Sequence, residues 1–246
     1  MTAPGPVRFR EVVIVGGGCY GTFYARQLSL AREKGRAEFD CLVIVDRDPG
    51  CQFIRDLGQT AWRELVVDEW NPFFDRYLTT AVPSEVPDVI VPSPLMPHLM
   101  FQWLERRAAD RWPGREVRAA PVETGPGTPY DRLAPDGTRY VSFADWLCPT
   151  HCVEPAICPV TRAPRTWEMT DALARLAGQV GAAGPALFRC EHQVFGVGTF
   201  PVAEVLAGDR IVQQAGAAGT EVDVLVGTIS SCHGAVSLLH LGGTKA

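Results

Sequence analysis

The sequence has no apolar run long enough to cross a membrane and no stretch in which Lys or Arg collects. Apolar runs such as Val12–Val15 and Leu42–Val45 stop far short of the roughly 20 residues that a transmembrane helix needs. The formal net charge of −5 does not suit a nucleic-acid groove or an anionic membrane surface. The first residues have no apolar segment ahead of a small-residue cleavage site. We therefore expect a cytoplasmic protein with no membrane and no nucleic-acid partner.

Several catalytic signatures are also missing. The sequence contains no G-x-S-x-G elbow, no P-loop and no H-E-x-x-H. What is present is the composition of a folded protein: 246 residues, 46% of them hydrophobic and 21% charged. A chain of this length can bury a core without disulfides or an obligatory partner subunit. The partner is expected to be a small-molecule substrate or a redox partner, and the sequence leaves the oligomeric state open.

Strand-like and helix-like segments alternate along much of the chain. A strand at Val12–Val15, a helix that ends near Gly35 and a strand at Cys41–Val45 make a β-α-β unit. Further strands are predicted at Glu64–Val67, Asp88–Val91, Val117–Ala120, Tyr140–Phe143, Leu187–Val194 and Val222–Gly227, and further helices at Met96–Ala109, Met169–Gln179, Ala203–Ala215 and Cys232–Leu239. The alternation predicts an α/β fold with a doubly wound, mostly parallel, Rossmann-like sheet.

The predicted organisation is a single α/β domain over residues 1–246. Residues 1–112 form a dinucleotide-binding half, and residues 167–246 form a C-terminal α/β half. Between them, residues 113–166 are a loop-rich insert, because Pro and Gly recur there and no long periodic segment fits. Loops of this length in a compact domain are usually functional or disordered.

A glycine-rich turn, Gly16-Gly17-Gly18-Cys19-Tyr20-Gly21, joins the first strand to the first helix. Its G-x-G-x-x-G spacing matches the dinucleotide fingerprint. Gly16 would allow a tight turn, Gly18 would let the backbone approach a pyrophosphate, and Gly21 would let the helix pack closely on the strand. The helix N-terminus would offer N–H groups to phosphate. Cys19 and Tyr20 would lie near the cofactor because of their position in the turn.

Asp46 ends the second strand, where a carboxylate accepts hydrogen bonds from ribose hydroxyls. It would repel a 2′-phosphate, which favours NAD first and FAD second over NADP, although Arg47 weakens that discrimination. On these residues the first 50 positions resemble the broad Rossmann-type NAD(P)/FAD-binding superfamily. The resemblance implies a cofactor and leaves the reaction open. The alternatives are a ligand-free turn and a methyltransferase-like loop for S-adenosylmethionine, and the third glycine argues against the latter.

The insert holds the most unusual passage of the chain, in which Cys148, His151, Cys152 and Cys158 fall within eleven residues. Its prolines prevent a regular helix or ladder, so the segment needs another source of order, and a metal would supply it. The Cys-x3-Cys-x5-Cys spacing matches neither the zinc C-x2-C pairs nor the ferredoxin run. An iron–sulfur cluster is slightly favoured over zinc because a dinucleotide would supply electrons. Redox thiols and inert packing are the alternatives.

Three cysteines need a fourth metal ligand. The candidates are His151 of the same loop, Cys190 or His192, and Cys232 or His233, and we favour Cys232 or Cys190. Cys190 and His192 are two residues apart in an extended segment, so both side chains would point to the same face. If the strands before Cys148 and Cys232 were parallel to the first strand of one sheet, these thiols would share its carboxyl edge with the glycine turn.

His98, His151 and Glu154 are the candidate catalytic residues. His98 follows a predicted strand at the presumed carboxyl edge, and Glu154 lies between two of the clustered cysteines. Solvated side chains are the alternative for both His98 and Glu154. The sequence thus predicts a dinucleotide-dependent oxidoreductase with a cysteine-ligated metal centre near the cofactor. The alternative is a non-catalytic regulator that senses NADH or metal.

Overall fold

The computed structural model describes residues 5–82, 84–145 and 152–244. In chain order its strands are β1 Val7–Arg8, β2 Glu11–Val15, β3 Ala37–Glu38, β4 Cys41–Asp46, β5 Arg63–Val67, β6 Val89–Val91, β7 Val117–Ala120, β8 Tyr130–Leu133, β9 Arg139–Ser142, β10 Ala183–Arg189, β11 Glu191–Val194, β12 Val197–Pro201, β13 Val222–Ile229 and β14 His233–Leu241. Its helices are α1 Cys19–Glu33, α2 Gln52–Asp56, α3 Trp70–Thr80, α4 Leu99–Arg111, α5 Met169–Val180 and α6 Val202–Gly216.

The chain divides into two compact units. Unit 1 comprises Met1–Pro97, Glu191–Ala203 and a short segment at Cys152 and Val153. Unit 2 comprises His98–Pro149, Glu154–Cys190 and Glu204–Ala246. Each unit contains a six-stranded mixed sheet, and β1 and β3 form a separate two-stranded parallel sheet in unit 1. No helix in the described part of the chain is long and apolar enough to cross a membrane.

The sheet of unit 1 has the order β11-β12-β6-β2-β4-β5. The four strands β6, β2, β4 and β5 are parallel, whereas β12 runs antiparallel to β6 and β11 antiparallel to β12. Alternate residues of β2 and β4 pack with α1 in a core that includes the fully buried Ile14, Ala25, Leu28 and Ile44. Because β2 and β4 are parallel neighbours, the segments that follow them begin at the same edge of the sheet.

The sheet of unit 2 has the order β10-β13-β14-β9-β8, and β7 also pairs with β14. β10 is parallel to β13, and β14 is antiparallel to β13, β9 and β7. The carboxyl ends of β9, β10 and β13 therefore lie at one edge, which we call the thiol edge because Cys190 and Cys232 follow two of these strands. α5 packs on one face over Leu225, Ile229 and Val236.

The predicted α/β class is confirmed, but the strands are divided between two mixed sheets. β7, β9 and β13 belong to the sheet of unit 2, whereas β2 belongs to that of unit 1. The prediction that the clustered cysteines and the glycine turn share the edge of one sheet is therefore wrong. What the structure shows is that β9 and β13 run in the same direction, so their carboxyl ends lie at the same edge of the unit 2 sheet.

Two predicted elements are wrong. Cys232–Leu239 was expected to be a helix but lies largely in β14, where all residues after His233 are buried. A strand covered on both faces shows no polar alternation, so its apolar run resembles a buried helix. The predicted strand Leu187–Val194 is instead parts of two strands, β10 and β11, which belong to different units and are separated in the sequence by Cys190. Cys190 and His192 therefore do not lie on the same face of one strand.

Candidate functional site

The glycine turn, Gly16–Gly21, connects β2 to α1 at the carboxyl edge of the unit 1 sheet. Gly16 has a φ of +87°, a conformation that favours glycine, and its N–H donates to the carbonyl of Val45 over 2.9 Å. A Cβ on Gly21 would lie 1.7 Å from the Gly16 carbonyl oxygen. The fold therefore requires glycine at both positions.

Gly18 is different. It precedes α1 with a φ of −77°, which any residue can adopt, and no atom lies within 4 Å of the position of a Cβ. Gly18 and Cys19 are exposed, and Tyr20 is half-buried. No side chain caps α1, and the first turn of the helix contains no acidic residue. The positive end of α1 thus faces open space beside a glycine that the fold does not need.

Asp46, at the end of β4, holds the turn in place. Its carboxylate accepts hydrogen bonds from the N–H of Gly17 over 2.6 Å and from the N–H of Asp48 over 2.9 Å. Trp70 is a residue of this site that the sequence analysis missed. Its indole N–H donates to the carbonyl of Val45 over 3.0 Å, and its ring lies 3.4 Å from the position of a Cβ on Gly16. The only sequence signal for it is a Trp shortly after a predicted strand.

At the thiol edge of unit 2, Cys158 begins a tight turn. An antiparallel bridge joins Ile157 to Pro164, and the Cys158 carbonyl accepts from the N–H of Arg162 over 2.8 Å. Burial raises the pKa of the Cys158 thiol, but hydrogen bonds from the N–H and hydroxyl of Thr161 and from the N–H of Val160 outweigh it, so the pKa is lowered. The turn therefore stabilises the thiolate form of Cys158 relative to that of a solvated cysteine.

Cys232 lies beside Trp167 and Arg165. The Trp167 indole N–H donates to the Cys232 sulfur over 3.2 Å while its ring stacks on Phe143. Burial raises the pKa of the Cys232 thiol; Trp167 and the positive charge of Arg165 oppose that effect without cancelling it. Cys232 is therefore a neutral thiol at pH 7, and its sulfur accepts a hydrogen bond.

The surroundings of Cys190 shift its pKa in the direction opposite to that of Cys158. It is buried, and desolvation together with the negative charges of Glu204 and Glu154 strongly raises the pKa of its thiol. Glu154 is itself largely buried, and its carboxylate lies 3.6 Å from Nη1 of Arg165. Burial first, and these two carboxylates second, thus keep Cys190 protonated.

His98 is buried at 9% exposure immediately before α4, so a solvated His98 is excluded. Burial lowers the pKa of its imidazole to about 4, and the charge of Asp136 opposes this only in part. Its ring stacks on Phe101 with the centroids 4.8 Å apart. His98 is thus neutral at pH 7.

The predicted metal ligands are not assembled in the described part of the chain. Cys148 and His151 lie outside the described residues, and Cys152 belongs to the short segment of unit 1. Cys158, Cys190 and Cys232 lie in unit 2. Among residues 5–82, 84–145 and 152–244, no group of three His, Cys, Asp or Glu side chains could hold a metal ion. The metal site stays a prediction.

Comparison with known proteins finds two matches. Residues 100–242 match the AF_1314_C family, which is described as "Uncharacterized protein, C-terminal domain". An "Uncharacterized protein" of Archaeoglobus fulgidus is 27% identical over 231 residues, which cover 92% of this chain and 98% of that protein. No solved structure gives a significant match.

Proposed function

The chain belongs to the AF_1314_C family, and we propose that it is a dinucleotide-dependent oxidoreductase whose unit 1 binds NAD(H), with FAD as the second choice. The parallel strand order β6-β2-β4-β5 supports a Rossmann-like, doubly wound arrangement within this unit. The glycine turn and Asp46 lie at the carboxyl edge, where nucleotides bind in such sheets.

The observation that carries this proposal is the open space at Gly18. Gly16 and Gly21 are explained by a positive φ and by a close contact, but neither reason applies to Gly18. An external group that approaches the backbone closely explains a glycine at this position. The N–H groups at the start of α1 would then bind the pyrophosphate, and the Asp46 carboxylate, already fixed by Gly17, would accept the ribose hydroxyls.

NADH titration tests the proposal, and Trp70 provides the signal. Energy transfer from the indole beside Gly16 to bound nicotinamide should give a saturable change in fluorescence, which Trp70→Phe should reduce. Gly18→Val should weaken binding by at least tenfold because its side chain fills the pyrophosphate space. Gly5→Val is the matched control, since Gly5 also has no atom within 4 Å of a Cβ. Equal binding by wild type and Gly18→Val would contradict the proposal.

Asp46→Asn tests the ribose contact separately. The amide oxygen can still accept from the Gly17 N–H, but the Asp48 N–H loses its acceptor, so the variant removes the negative charge and one of the two hydrogen bonds that Asp46 accepts. NADH should bind less tightly, and the preference for NADH over NADPH should decrease. An unchanged preference would assign Asp46 a structural role only.

The proposal retains a cysteine-ligated metal. An iron–sulfur cluster, the first choice, would accept the electrons, whereas zinc, the second choice, has no redox chemistry and would be structural or would hold a substrate. The support for a metal is that the sulfur atoms of Cys158 and Cys232 accept hydrogen bonds, as metal-bound thiolates commonly do. Anaerobic purification, metal analysis and an absorption spectrum test it. Less than one metal per chain, with no change on Cys158→Ser, would remove the metal from the proposal. NADH binding without turnover with any electron acceptor would favour a sensor over an enzyme.

A further inference from the structure

A cleft of about 330 Å³ lies at the amino edge of the unit 1 sheet, the edge opposite the glycine turn. Glu11 and Cys41, the first residues of β2 and β4, line it together with Tyr77 near the end of α3. Asp40 and Asp88, which precede β4 and β6, also line it. All the residues that line the cleft belong to unit 1. We call it the amino-edge cleft, and its volume suits a small organic ligand.

The amino-edge cleft carries more negative than positive charge. Its lining contains three carboxylates, those of Glu11, Asp40 and Asp88, and one cation, Arg10. Arg10 binds both oxygens of Asp88, since its Nε donates to Oδ1 over 2.7 Å and its Nη2 donates to Oδ2. The Asp88 side chain is only 6% exposed, so a buried carboxylate already uses this cation. Two carboxylates therefore remain in excess of the positive charge.

The end of α3 adds to the negative potential. Thr80, its last residue, and Ala81, which follows it, both line the cleft. The last carbonyl groups of a helix carry a partial negative charge, and the last turn of α3 contains no basic residue to offset it. The helix end and the carboxylates come from separate elements, and both favour a positively charged ligand.

Glu11 is the carboxylate on which these effects act most directly. Burial raises the pKa of Glu11, and the negative charges of Asp88 and Glu64 raise it further. The Tyr77 hydroxyl and the charge of Arg10 oppose the shift, but the pKa stays above its usual value. A cation in the cleft would stabilise the Glu11 carboxylate, because it would replace the solvation that burial removes.

Tyr77 gives the cleft an aromatic side chain. Its ring stacks on Phe73 with the centroids 5.3 Å apart, which holds the side chain in place. Its hydroxyl oxygen lies near enough to Glu11 to lower the pKa of that carboxyl, yet it is buried and makes no hydrogen bond of normal geometry within the part of the chain that the structure describes. The cleft thus presents an aromatic ring and an incompletely bonded hydroxyl next to its carboxylates.

We propose that the amino-edge cleft binds a small organic ammonium ion, such as an aliphatic amine, with Glu11 and Asp40 as its counter-charges. The excess of carboxylates and the end of α3 favour a cation, and the aromatic side chain beside them favours an organic one. A bare metal ion does not suit the cleft, because no group of three His, Cys, Asp or Glu side chains in the described ranges could hold one. The site goes beyond the proposed function, since it lies at the other edge of the sheet from the glycine turn.

Cys41 provides a reporter because it lines the cleft. The full chain is titrated with diaminobutane at pH 7 and constant ionic strength, by calorimetry and by labelling of Cys41 with a cationic and an anionic methanethiosulfonate. Burial and nearby carboxylates raise the pKa of Cys41 to about 11, which slows both reagents alike. The ratio of cationic to anionic labelling should be roughly tenfold higher in the folded chain than in the urea-unfolded chain. Diaminobutane should slow the labelling of Cys41 but not that of Cys19, which is exposed at the glycine turn.

Two variants test the counter-charges. Glu11→Gln removes a carboxylate and keeps the size of the side chain, so it should weaken diaminobutane binding by roughly tenfold or more. Asp40→Asn, at an exposed position, should weaken binding in the same direction. Glu69→Gln is the matched control and should leave binding unchanged, since Glu69 is exposed at the other end of α3.

Three results would overturn the proposal: no binding of diaminobutane, equal binding by wild type and both cleft variants, and equal protection of Cys41 by sodium or magnesium ions. If Glu11→Gln does not fold, Asp40→Asn and the labelling of wild type still decide the question. Binding in the cleft is measured at Cys41, whereas NADH binding is measured at Trp70 near the opposite edge. The failure of one proposal is therefore distinct from the failure of the other.

Discussion

The glycine turn of unit 1 and the thiol edge of unit 2 both follow the carboxyl ends of strands. The glycine turn leaves its polar groups exposed to solvent, whereas the thiol edge buries them. Gly18 and Cys19 leave the first amides of α1 open to solvent. Cys158 and Cys190 at the thiol edge are buried, and neighbouring groups shift their pKa values in opposite directions. An open edge suits a large ligand that brings its own charge. A buried edge suits chemistry that depends on the protonation of a few side chains.

Substitutions within the glycine turn test whether Gly21 serves the fold and Gly18 serves a ligand. Gly21→Ala should destabilise the protein by about 3 kcal/mol, because its Cβ would overlap the Gly16 carbonyl. Gly18→Ser should change stability by less than about 0.5 kcal/mol, since serine is a good residue before a helix. Urea unfolding measures both free energies. Similar losses for the two variants would contradict the assignment of one glycine to the fold and the other to a ligand.

The buried imidazole of unit 2 should make stability depend on pH. His98 has a folded-state pKa of about 4, below its usual value, so the unfolded chain binds the proton more tightly. The contribution of His98 to the free energy of unfolding, roughly 3 kcal/mol, should therefore be complete above about pH 7. It should be lost as the pH is lowered to about 4. His98→Phe should remove that part of the slope in urea unfolding measured across this range. An unchanged slope would show that His98 is not the group responsible.

Thiol labelling compares the reactivities of Cys158 and Cys190 in unit 2. Cys158, whose pKa is lowered, should react with iodoacetamide at pH 7.5 at least tenfold faster than Cys190, whose pKa is strongly raised. Mass spectrometry of digested, metal-free protein identifies each labelled residue. Glu204→Gln removes one negative charge near Cys190 and should reduce the difference. Faster labelling of Cys190 in the folded protein would reverse the assignment.

The smallest expected effect concerns Trp167. Trp167→Phe removes the indole donor to Cys232 and retains an aromatic ring to stack on Phe143, so stability should fall by about 1 kcal/mol. The pKa of Cys232 should rise further, because a group that lowers it is lost. The pH dependence of Cys232 labelling checks the direction. A lower pKa in the variant would contradict this role of the indole.

Features set by local sequence could be predicted. The glycine turn lies where its motif places it, because strand, turn and helix are contiguous. β7 has the predicted limits Val117–Ala120, and α5 ends one residue later than predicted. Each of these elements is determined by the spacing of a few neighbouring residues.

Features set by distant contacts could not be predicted. β14 has the apolar pattern of a buried helix because both of its faces are covered, and the elements that cover it come from other parts of the chain. The burial of His98 depends on tertiary packing that no local pattern encodes. The shifted pKa of Cys190 likewise depends on Glu154 and Glu204, which no motif links to it.

The position of β14 in the sheet determines when unit 2 can complete its folding during synthesis. It is the last described strand, yet it pairs with β13 on one side and with β9 and β7 on the other. A ribosome that adds about 5–20 residues per second would deliver β14 on the order of ten seconds after β7. During that interval β7 and β9 lack the partner strand that pairs with them in the folded unit, so nascent unit 2 is a candidate for chaperone binding. The parallel strands of unit 1, all synthesised before Pro97, do not wait for it.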